Sequence, residues 1–315
     1  MGQAGARRFE REIDDTQAGR AVLRKLGLIG GMSWVSTRAY YERINRLVQK
    51  AKTPVHSAPL LIESLEYAPL YALREEESWD EAARTLIDSA RRLEDAGAGA
   101  IVIAANSMHR VYDRVAEAIG IEIIHIADTV GKALEGHDIG EVLLLGTRPV
   151  MTESFYRQRI IGHGVDLLPP DEDDVEMVDS IIYKELMLGK VSRDAERALK
   201  TIITRKEQRG ADAIVLACTE LGLVVDTDAN VLPVFDTTHT HCRAAPEWIL
   251  AASPVRGAAS ARLRTSSPRR RHSVPVSRSA SRPCSCRVMS LASPRAPTPD
   301  QPPPPFTPDP SLRRP

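Results

Sequence analysis

The chain contains an internal repeat. Residues 97–107 read GAGAIVIAANS and residues 210–220 read GADAIVLACTE. Each segment has a glycine, a short apolar run rich in β-branched residues, and then small and polar residues, which predicts a buried strand ending in a loop. Two more pairs of segments match. Segments 26–34 and 142–148 precede the repeated segment in the two parts of the chain, and segments 124–129 and 232–237 follow it. A repeat of this length predicts two halves with one architecture.

The sequence pattern predicts that strands and helices alternate. Strands are expected at residues 25–29, 60–64, 100–104, 123–126, 141–145, 166–168, 213–217 and 231–235. The clearest helix starts with the capping box of Ser78 and Glu81 and ends at Gly97, and its counterpart runs from Ser192 to Gly210. This alternation predicts an α/β fold of two similar domains, each a parallel sheet flanked by helices, related by a pseudo-twofold duplication. Because open α/β sheets bind ligands at the carboxyl ends of their strands, we expect the active site in the cleft between the domains.

The repeat also divides the chain into segments. We expect a mobile N-terminal extension over residues 1–24, a first α/β half over 25–138 and a second half over 139–250, with some exchange of a helix between the halves near the C-terminal end. Residues 251–315 are rich in Pro, Arg and Ser and have no apolar periodicity. Such a segment cannot bury enough surface to offset its ordering entropy, so we expect a disordered tail.

The formal net charge of zero conceals a charge asymmetry. The tail has many arginines, no lysine and two acidic residues, so the rest of the chain is acidic by about ten charges. One interpretation is a basic tail that binds RNA or is phosphorylated. The other is an extension without a catalytic role, including a frame-shifted translation of GC-rich codons. We favour the second over nucleic-acid binding, because no aromatic residues are interleaved with the arginines.

The four cysteines indicate neither a disulfide framework nor a metal site. Cys218 and Cys242 lie in the predicted folded part, whereas Cys284 and Cys286 lie in the tail. Their spacing matches no metal-ligand pattern, and we expect no metal. The sequence shows no signal peptide and no apolar run approaching the roughly twenty residues of a membrane span, so we expect a cytoplasmic protein without a membrane partner.

Cys218 is the strongest candidate for a reactive group. It follows the predicted strand 213–217 and precedes Thr219 and Glu220. If a helix begins there, its amides and dipole would favour a thiolate and would bind a substrate carboxylate. The alternative is that Cys218 is a small buried hydrophobic residue, which is the commoner role of a lone cysteine.

Other polar residues follow the same predicted strand ends. Asn106, Ser107 and His109 come after the first copy of the repeated strand, where His109 could be a general base or a helix residue bonded to backbone. Lys184 could neutralise a substrate carboxylate or simply face solvent. Gly30 and Gly31 form either an anion-binding turn or a plain strand-to-helix turn, since the glycine spacing of a dinucleotide site is absent.

Two Asp-Thr pairs occur at matching positions of the repeat. Asp128 and Asp236 are each followed by threonine. We interpret both aspartates as helix N-caps.

Taken together, these segments resemble the aspartate/glutamate racemase family. The motifs that carry the resemblance are residues 28–34, 106–109, 144–148, 218–222 and 232–237, in the family's order across residues 26–250. The resemblance implies two similar α/β domains, often a homodimer, and cofactor-independent racemisation of acidic amino acids. It also implies that Cys218 is an acid/base and that Met32, Asn106, Ser107, Thr219 and Glu220 lie at the substrate.

Position 105 departs from the family pattern. Inverting a Cα centre requires one group to remove a proton from one face and another to deliver a proton to the opposite face. Members of the family carry Cys at the position of Ala105, or Thr in the subgroup with Gly-Gly-Met-Ser-Trp that this chain resembles most. Alanine has no proton to exchange, so Ala105 marks a missing base unless Ser107, His109 or a held water replaces it.

The sequence therefore predicts an isomerase that racemises aspartate or glutamate through Cys218, with activity weakened by Ala105. A one-thiol isomerase or a decarboxylase of the same superfamily is the alternative enzyme. A catalytically silent protein that binds an amino acid is the alternative from another class.

Overall fold

A computed structural model describes residues 23–73, 79–137, 139–226 and 230–251. These residues belong to one compact unit, Met1–Arg256; a second unit, Gly257–Pro315, lies outside the described residues. The predicted tail therefore lies outside them except for its first residue, and so does the predicted N-terminal extension except for Leu23 and Arg24. The domain limits proposed from the sequence stay a prediction.

Over the described ranges, eight parallel strands form two sheets of four, which confirms the predicted fold class. The strands are β1 (Leu26–Gly30), β2 (Leu60–Ser64), β3 (Ala100–Ile103), β4 (Glu122–Ile124), β5 (Glu141–Gly146), β6 (Asp166–Leu167), β7 (Ala213–Ala217) and β8 (Val234–Asp236). The strand order is β2-β1-β3-β4 in the first sheet and β6-β5-β7-β8 in the second. Both sheets thus have the same topology, and the repeated segments supply the central strands β3 and β7.

Helices fill the connections between strands. In the described residues they are α1 (Trp34–Ala51), α2 (Tyr67–Ala72), α3 (Asp80–Asp95), α4 (Tyr112–Glu117), α5 (Ile126–Leu134), α6 (Arg148–Thr152), α7 (Ser154–Ile161), α8 (Glu172–Lys184), α9 (Arg193–Glu207) and α10 (Thr237–Leu250). Short 3₁₀ helices occupy Ser107–Val111, Leu186–Leu188 and Thr219–Leu223. Among the described residues, none of the helices is both long and apolar enough to span a bilayer.

The helix starts test the capping predictions. The Ser192 side chain accepts from the Ala195 amide and caps α9, and Asp236 accepts from the Thr238 amide and caps α10, as predicted. The prediction for Asp128 is wrong, because His125 caps α5 and Asp128 lies inside its first turn. Helix α3 begins at Asp80 with no side-chain cap, and Ser78 of the predicted capping box lies outside the described residues.

Each half covers one face of the other half's sheet with a helix. On α10, Cys242, Ala245 and Ile249 pack in one buried cluster with strand residues of the first sheet. On α5, Ile126 and Val130 pack in a cluster with strand residues of the second sheet. The two exchanged helices also approach each other, with the Thr129 and Thr240 hydroxyls 3.4 Å apart. Since neither sheet is covered by its own half alone, the two sheets form one folded unit.

Three buried histidines lie where the exchanged helices meet the first sheet. The ring centroids of His109 and His125 are 4.5 Å apart, and those of His109 and His241 are 6.1 Å apart. His241 donates to the Ile124 carbonyl (2.8 Å) and accepts from the Tyr40 hydroxyl (2.7 Å), a pattern that suits the neutral ring. Burial lowers the pKa of His109 to about 3 and that of His241 to about 4, and it lowers the pKa of His125 still further.

These histidines predict that the fold loses stability below pH ~6.5. In the unfolded chain each imidazole takes up a proton near that pH, whereas the folded state keeps the rings neutral, so unfolding gains protons as the pH falls. We expect the free energy of unfolding to drop by up to about 1.4 kcal/mol per pH unit per histidine between pH ~6.5 and ~5. Urea unfolding at several pH values measures this slope.

The matched control for the slope is His239, which is exposed on α10. His239→Gln should leave the pH dependence unchanged, because this side chain stays in contact with water in the folded state. A wild-type stability that is flat from pH 6.5 to 5 would contradict the prediction.

Candidate functional site

A small cavity lies between the carboxyl ends of the two sheets. Its volume is about 40 Å³. The described residues that line it are Met32, Ser36, Tyr67, Ala104, Ala105, Asn106, Ser107, Thr147, Ile182, Tyr183, Met187, Ala217, Cys218, Thr219 and Glu220. Ligand pockets usually measure about 300–1,000 Å³. A cavity of about 40 Å³ holds a molecule of amino-acid size only if it widens.

The parallel sheets explain why distant segments meet at this cavity. Strands β1, β3, β5 and β7 are the central strands of their sheets, and residues that follow each of them line the cavity. Seven residues selected from the sequence come together there: Met32, Ala105, Asn106, Ser107, Cys218, Thr219 and Glu220. His109 and Lys184 are not among the lining residues.

The Cys218 thiol is hydrogen-bonded to a buried carboxylate. Its Sγ donates to Oε2 of Glu220 at 3.1 Å, and Glu220 is only 8% exposed. The other carboxylate oxygen, Oε1, accepts from the Ser33 hydroxyl at 2.9 Å and from the Ser36 hydroxyl at 3.4 Å. Both serines belong to the first half. The carboxylate of Glu220 thus joins the thiol of one half to the start of α1 in the other.

Burial and Glu220 raise the pKa of Cys218 well above its ordinary value. The sequence suggested the opposite, a thiolate stabilised by a helix N-terminus. The amides of Glu220 and Leu221 do bond to the sulfur and lower its pKa, but the loss of water and the nearby carboxylate outweigh them. The following helix is a 3₁₀ helix of 5 residues, Thr219–Leu223, which supplies little dipole. Cys218 therefore rests as a thiol.

Asn106 is held by a tyrosine of the other half. The Tyr156 hydroxyl donates to Oδ1 of Asn106 at 2.6 Å, and both groups are buried. Burial raises the pKa of Tyr156, so this hydroxyl stays a donor. Nothing in the sequence pointed to Tyr156, because its place in α7 reveals no partner 50 residues away.

His109 lies behind Ala105. Its Nδ1 donates to the Ala105 carbonyl at 2.8 Å, and its Nε2 accepts from the Ile126 amide at 3.3 Å. Both ring nitrogens are thus used by backbone, and His109 is 2% exposed. Ala105 itself presents no ionisable group to the cavity. Lys184 is exposed on α8, beside a separate chamber.

Thr147 is a second residue that the sequence analysis did not select. It follows β5, is 7% exposed and lines the cavity. Its hydroxyl is buried and has no hydrogen-bond partner among the described residues. A buried hydroxyl without a partner is costly, so this atom is suited to bond a molecule in the cavity. The pairing of segments 26–34 and 142–148 was the signal that could have identified it.

The cavity has one negative side chain and no positive one among its described lining residues. Glu220 supplies the charge, and the remaining polar lining groups are neutral: the thiol of Cys218, the amide of Asn106 and the hydroxyls of Ser36, Tyr67, Ser107, Thr147, Tyr183 and Thr219. Within the described ranges, no group of three or more His, Cys, Asp or Glu side chains is arranged to hold a metal ion. A substrate carboxylate would therefore be bound here by neutral donors.

Comparison with known proteins gives a consistent family. Residues 29–245 match the model of the family described as Asp/Glu/Hydantoin racemase. The chain is 25% identical, over 216 residues, to the broad specificity amino-acid racemase RacX of Bacillus subtilis (strain 168). That match covers 68% of this chain and 92% of RacX.

Two solved structures have similar folds. A candidate Asp/Glu racemase from Yersinia pestis is 39% identical with a TM-score of 0.68, and the match covers 72% of this chain and 100% of that chain. An aspartate racemase homologue from Pyrococcus horikoshii OT3 is 30% identical with a TM-score of 0.61, and the match covers 71% and 98%.

The Thr147 hydroxyl, which has no hydrogen-bond partner in the described part of the chain, predicts that one substitution changes stability and ligand binding in opposite directions. Replacing it with an apolar side chain of similar shape, Thr147→Val, removes an unsatisfied buried group and should stabilise the free protein by about 1 kcal/mol. That gain corresponds to a rise in Tm of about 2–4 °C. Binding of an amino acid, with L-aspartate as the probe, should weaken, because the bound molecule loses a hydrogen-bond partner. Thermal unfolding and calorimetric titration measure the two effects.

Thr237→Val is the matched control. The Thr237 hydroxyl is buried and donates to the Leu216 carbonyl at 2.9 Å, so the same replacement should lower Tm. A loss of stability in Thr147→Val as large as in this control would mean that the Thr147 hydroxyl has a partner in the free protein.

Proposed function

The chain belongs to the Asp/Glu/hydantoin racemase family, and from that premise we propose that it removes and returns the Cα proton of an amino acid without a cofactor, with Cys218 as the acid/base. Its racemase relatives support an isomerase. The observation that carries the proposal is the thiol of Cys218 at the cleft between the two sheets, bonded to Glu220. Aspartate and glutamate, after which the family is named, are the first substrates to test.

Glu220 fixes the position of the Cys218 thiol, the group that we propose as the base. A thiol must lose its proton before it can take one from Cα, and the Oε2 atom of Glu220 already accepts the S–H bond. The thiol loses its proton to solvent water as the pH rises, and the thiolate then removes the Cα proton. The amide and hydroxyl groups of Asn106, Ser107 and Thr219 stabilise the negative charge that develops on the substrate.

Ala105 favours a second candidate function. A two-base racemase needs a proton donor on the face opposite Cys218, and the methyl group of Ala105 cannot supply one. If neither Ser107 nor a held water does so, the reaction is limited to exchange at one face, as in a one-thiol isomerase or decarboxylase. The remaining alternative is a protein that binds an amino acid without catalysis, in which Cys218 exchanges no proton with the ligand.

The remaining expectations rest on the family resemblance. We propose a homodimer in the cytoplasm that acts on free amino acids. The closed volume of about 40 Å³ requires that the cavity widen to admit them.

Restoring a base at position 105 should increase racemisation. We expect Ala105→Thr and Ala105→Cys to raise the rate of L-aspartate racemisation by about a hundredfold, the lower range of what one general acid or base contributes. The assay follows optical rotation and deuterium uptake at Cα in deuterium oxide. Exchange with retention of configuration in the wild type, converted to racemisation in the variants, would identify one-base chemistry.

The reference for this series is Cys218→Ser, which should abolish both readouts. Turnover that persists without the thiol would show that the acid/base lies elsewhere. Unchanged rates in both position-105 variants would show that the first half-site has diverged beyond that one residue.

The raised pKa of Cys218 predicts an alkaline rate profile. Exchange needs the thiolate, so the rate should keep rising with pH beyond the ordinary cysteine pKa of about 8.5. Glu220→Gln removes the negative charge that raises the thiol pKa, and we expect the rising limb to move to lower pH. Rates of Cα exchange from pH 6 to 10 measure the shift. A limb that moves upward would mean that Glu220 acts mainly as proton acceptor.

A further inference from the structure

A second chamber opens beside the catalytic cavity. Its volume is about 350 Å³, within the range of ordinary ligand pockets. It shares three lining residues with the catalytic cavity, Tyr67, Ser107 and Tyr183. The two spaces are therefore adjacent, and a group bound beside Cys218 has this chamber as its nearest large space.

Aromatic side chains form much of the chamber wall. Tyr71 makes edge contacts with Tyr67 and with Tyr183, each with ring centroids 5.7 Å apart. Trp79 and Leu70 also line the chamber. Aromatic surface of this kind gains most from burying apolar side chains, because it offers large contact area at little entropic cost.

The charges around the chamber balance. Arg148 and Lys184 face Glu176 and Asp179 among the described lining residues. Arg148 is already paired with Glu172, and its amide donates to Asp179 at 2.7 Å. Lys184 and Glu176 are exposed at the rim on α8. The described lining of the chamber has no excess of either charge, and that of the adjoining cavity has no positive side chain. Neither space therefore favours a substrate with a charged side chain.

The Trp79 indole contributes an apolar face to the chamber wall. The indole Nε1 of Trp79 is buried and has no partner among the described residues. The Arg110 guanidinium lies over the indole ring, 4.7 Å from its centroid, which fixes the ring without using that N–H group. A side chain that reaches Trp79 would therefore meet an apolar aromatic face.

From these observations we propose that the chamber is a side-chain subsite for amino acids with long uncharged side chains, so that the substrate range extends beyond aspartate and glutamate. The proposal rests on the proposed function, because the chamber receives a side chain only when the substrate α-carbon lies beside Cys218.

Direct binding tests the subsite. Calorimetric titration of the full chain compares L-norleucine, L-alanine, L-aspartate and L-glutamate. We expect norleucine to bind about tenfold or more tightly than alanine, because each methylene buried in an apolar pocket contributes to affinity. We also expect it to bind at least as tightly as the two acidic amino acids. Norleucine binding no tighter than alanine would overturn the proposal, as would tighter binding of glutamate, which would point to Lys184 instead.

A filled chamber provides the matched variant test. Ser180 lines the chamber, whereas Met177 lies three positions earlier on α8, is 45% exposed and does not line it. Ser180→Trp should remove the preference for norleucine over alanine and leave alanine binding within about twofold. Met177→Trp should change neither. If Ser180→Trp does not fold, the smaller Ser180→Leu serves the same purpose. A preference for norleucine that survives filling would overturn the proposal.

Deuterium exchange at Cα separates this proposal from the proposed function. Tight norleucine binding without exchange of any amino acid would refute the proton chemistry and leave the subsite standing. Exchange of aspartate, together with equal affinities for norleucine and alanine, would refute the subsite alone.

Discussion

The exchange of helices between the two halves is the constraint on which the rest of the structure depends. A parallel sheet must be covered on both faces, and here α5 and α10 each cover a sheet of the opposite half. Neither half can therefore bury its own core alone. The exchange brings the carboxyl ends of β3 and β7 to one cavity and explains why a duplicated sequence produces a single site. The buried histidines beside α10 are a cost of this arrangement, since they must remain neutral.

Hydrogen bonds between the two halves position the polar groups of the site. Ser33 and Ser36 of the first half hold Glu220 of the second, and Tyr156 of the second holds Asn106 of the first. Both sets of bonds form only when the halves are close. These bonds fix the groups beside Cys218 through contacts between the halves. The protonation state of the thiol depends on them as well, because Glu220, which the two serines hold nearby, raises the thiol pKa.

The sequence predicted the features that depend on local pattern. Strand positions follow from runs of β-branched residues, and the convergence of Ala105 and Cys218 follows from the repeat together with the geometry of parallel sheets. Features that depend on partners distant in the sequence were not predicted. Asp128 has the local pattern of a cap, but His125 precedes it and takes that role. The raised pKa of Cys218 could not be foreseen, because it depends on burial and on the pose of Glu220, which a strand-end motif does not reveal.

The surroundings of Ala105 bear on what its substitution means. The backbone at position 105 is still fixed by His109, whose Nδ1 donates to the Ala105 carbonyl. The neighbouring Asn106 is still held by Tyr156. If the first half-site had drifted without constraint, these buried polar contacts would have no reason to remain satisfied. The backbone contacts around position 105 are therefore intact, and the departure inferred from the family resemblance concerns the side chain alone. Under the proposed function, chemistry at one face of the substrate would then require no change of fold, only the absence of a proton donor at position 105.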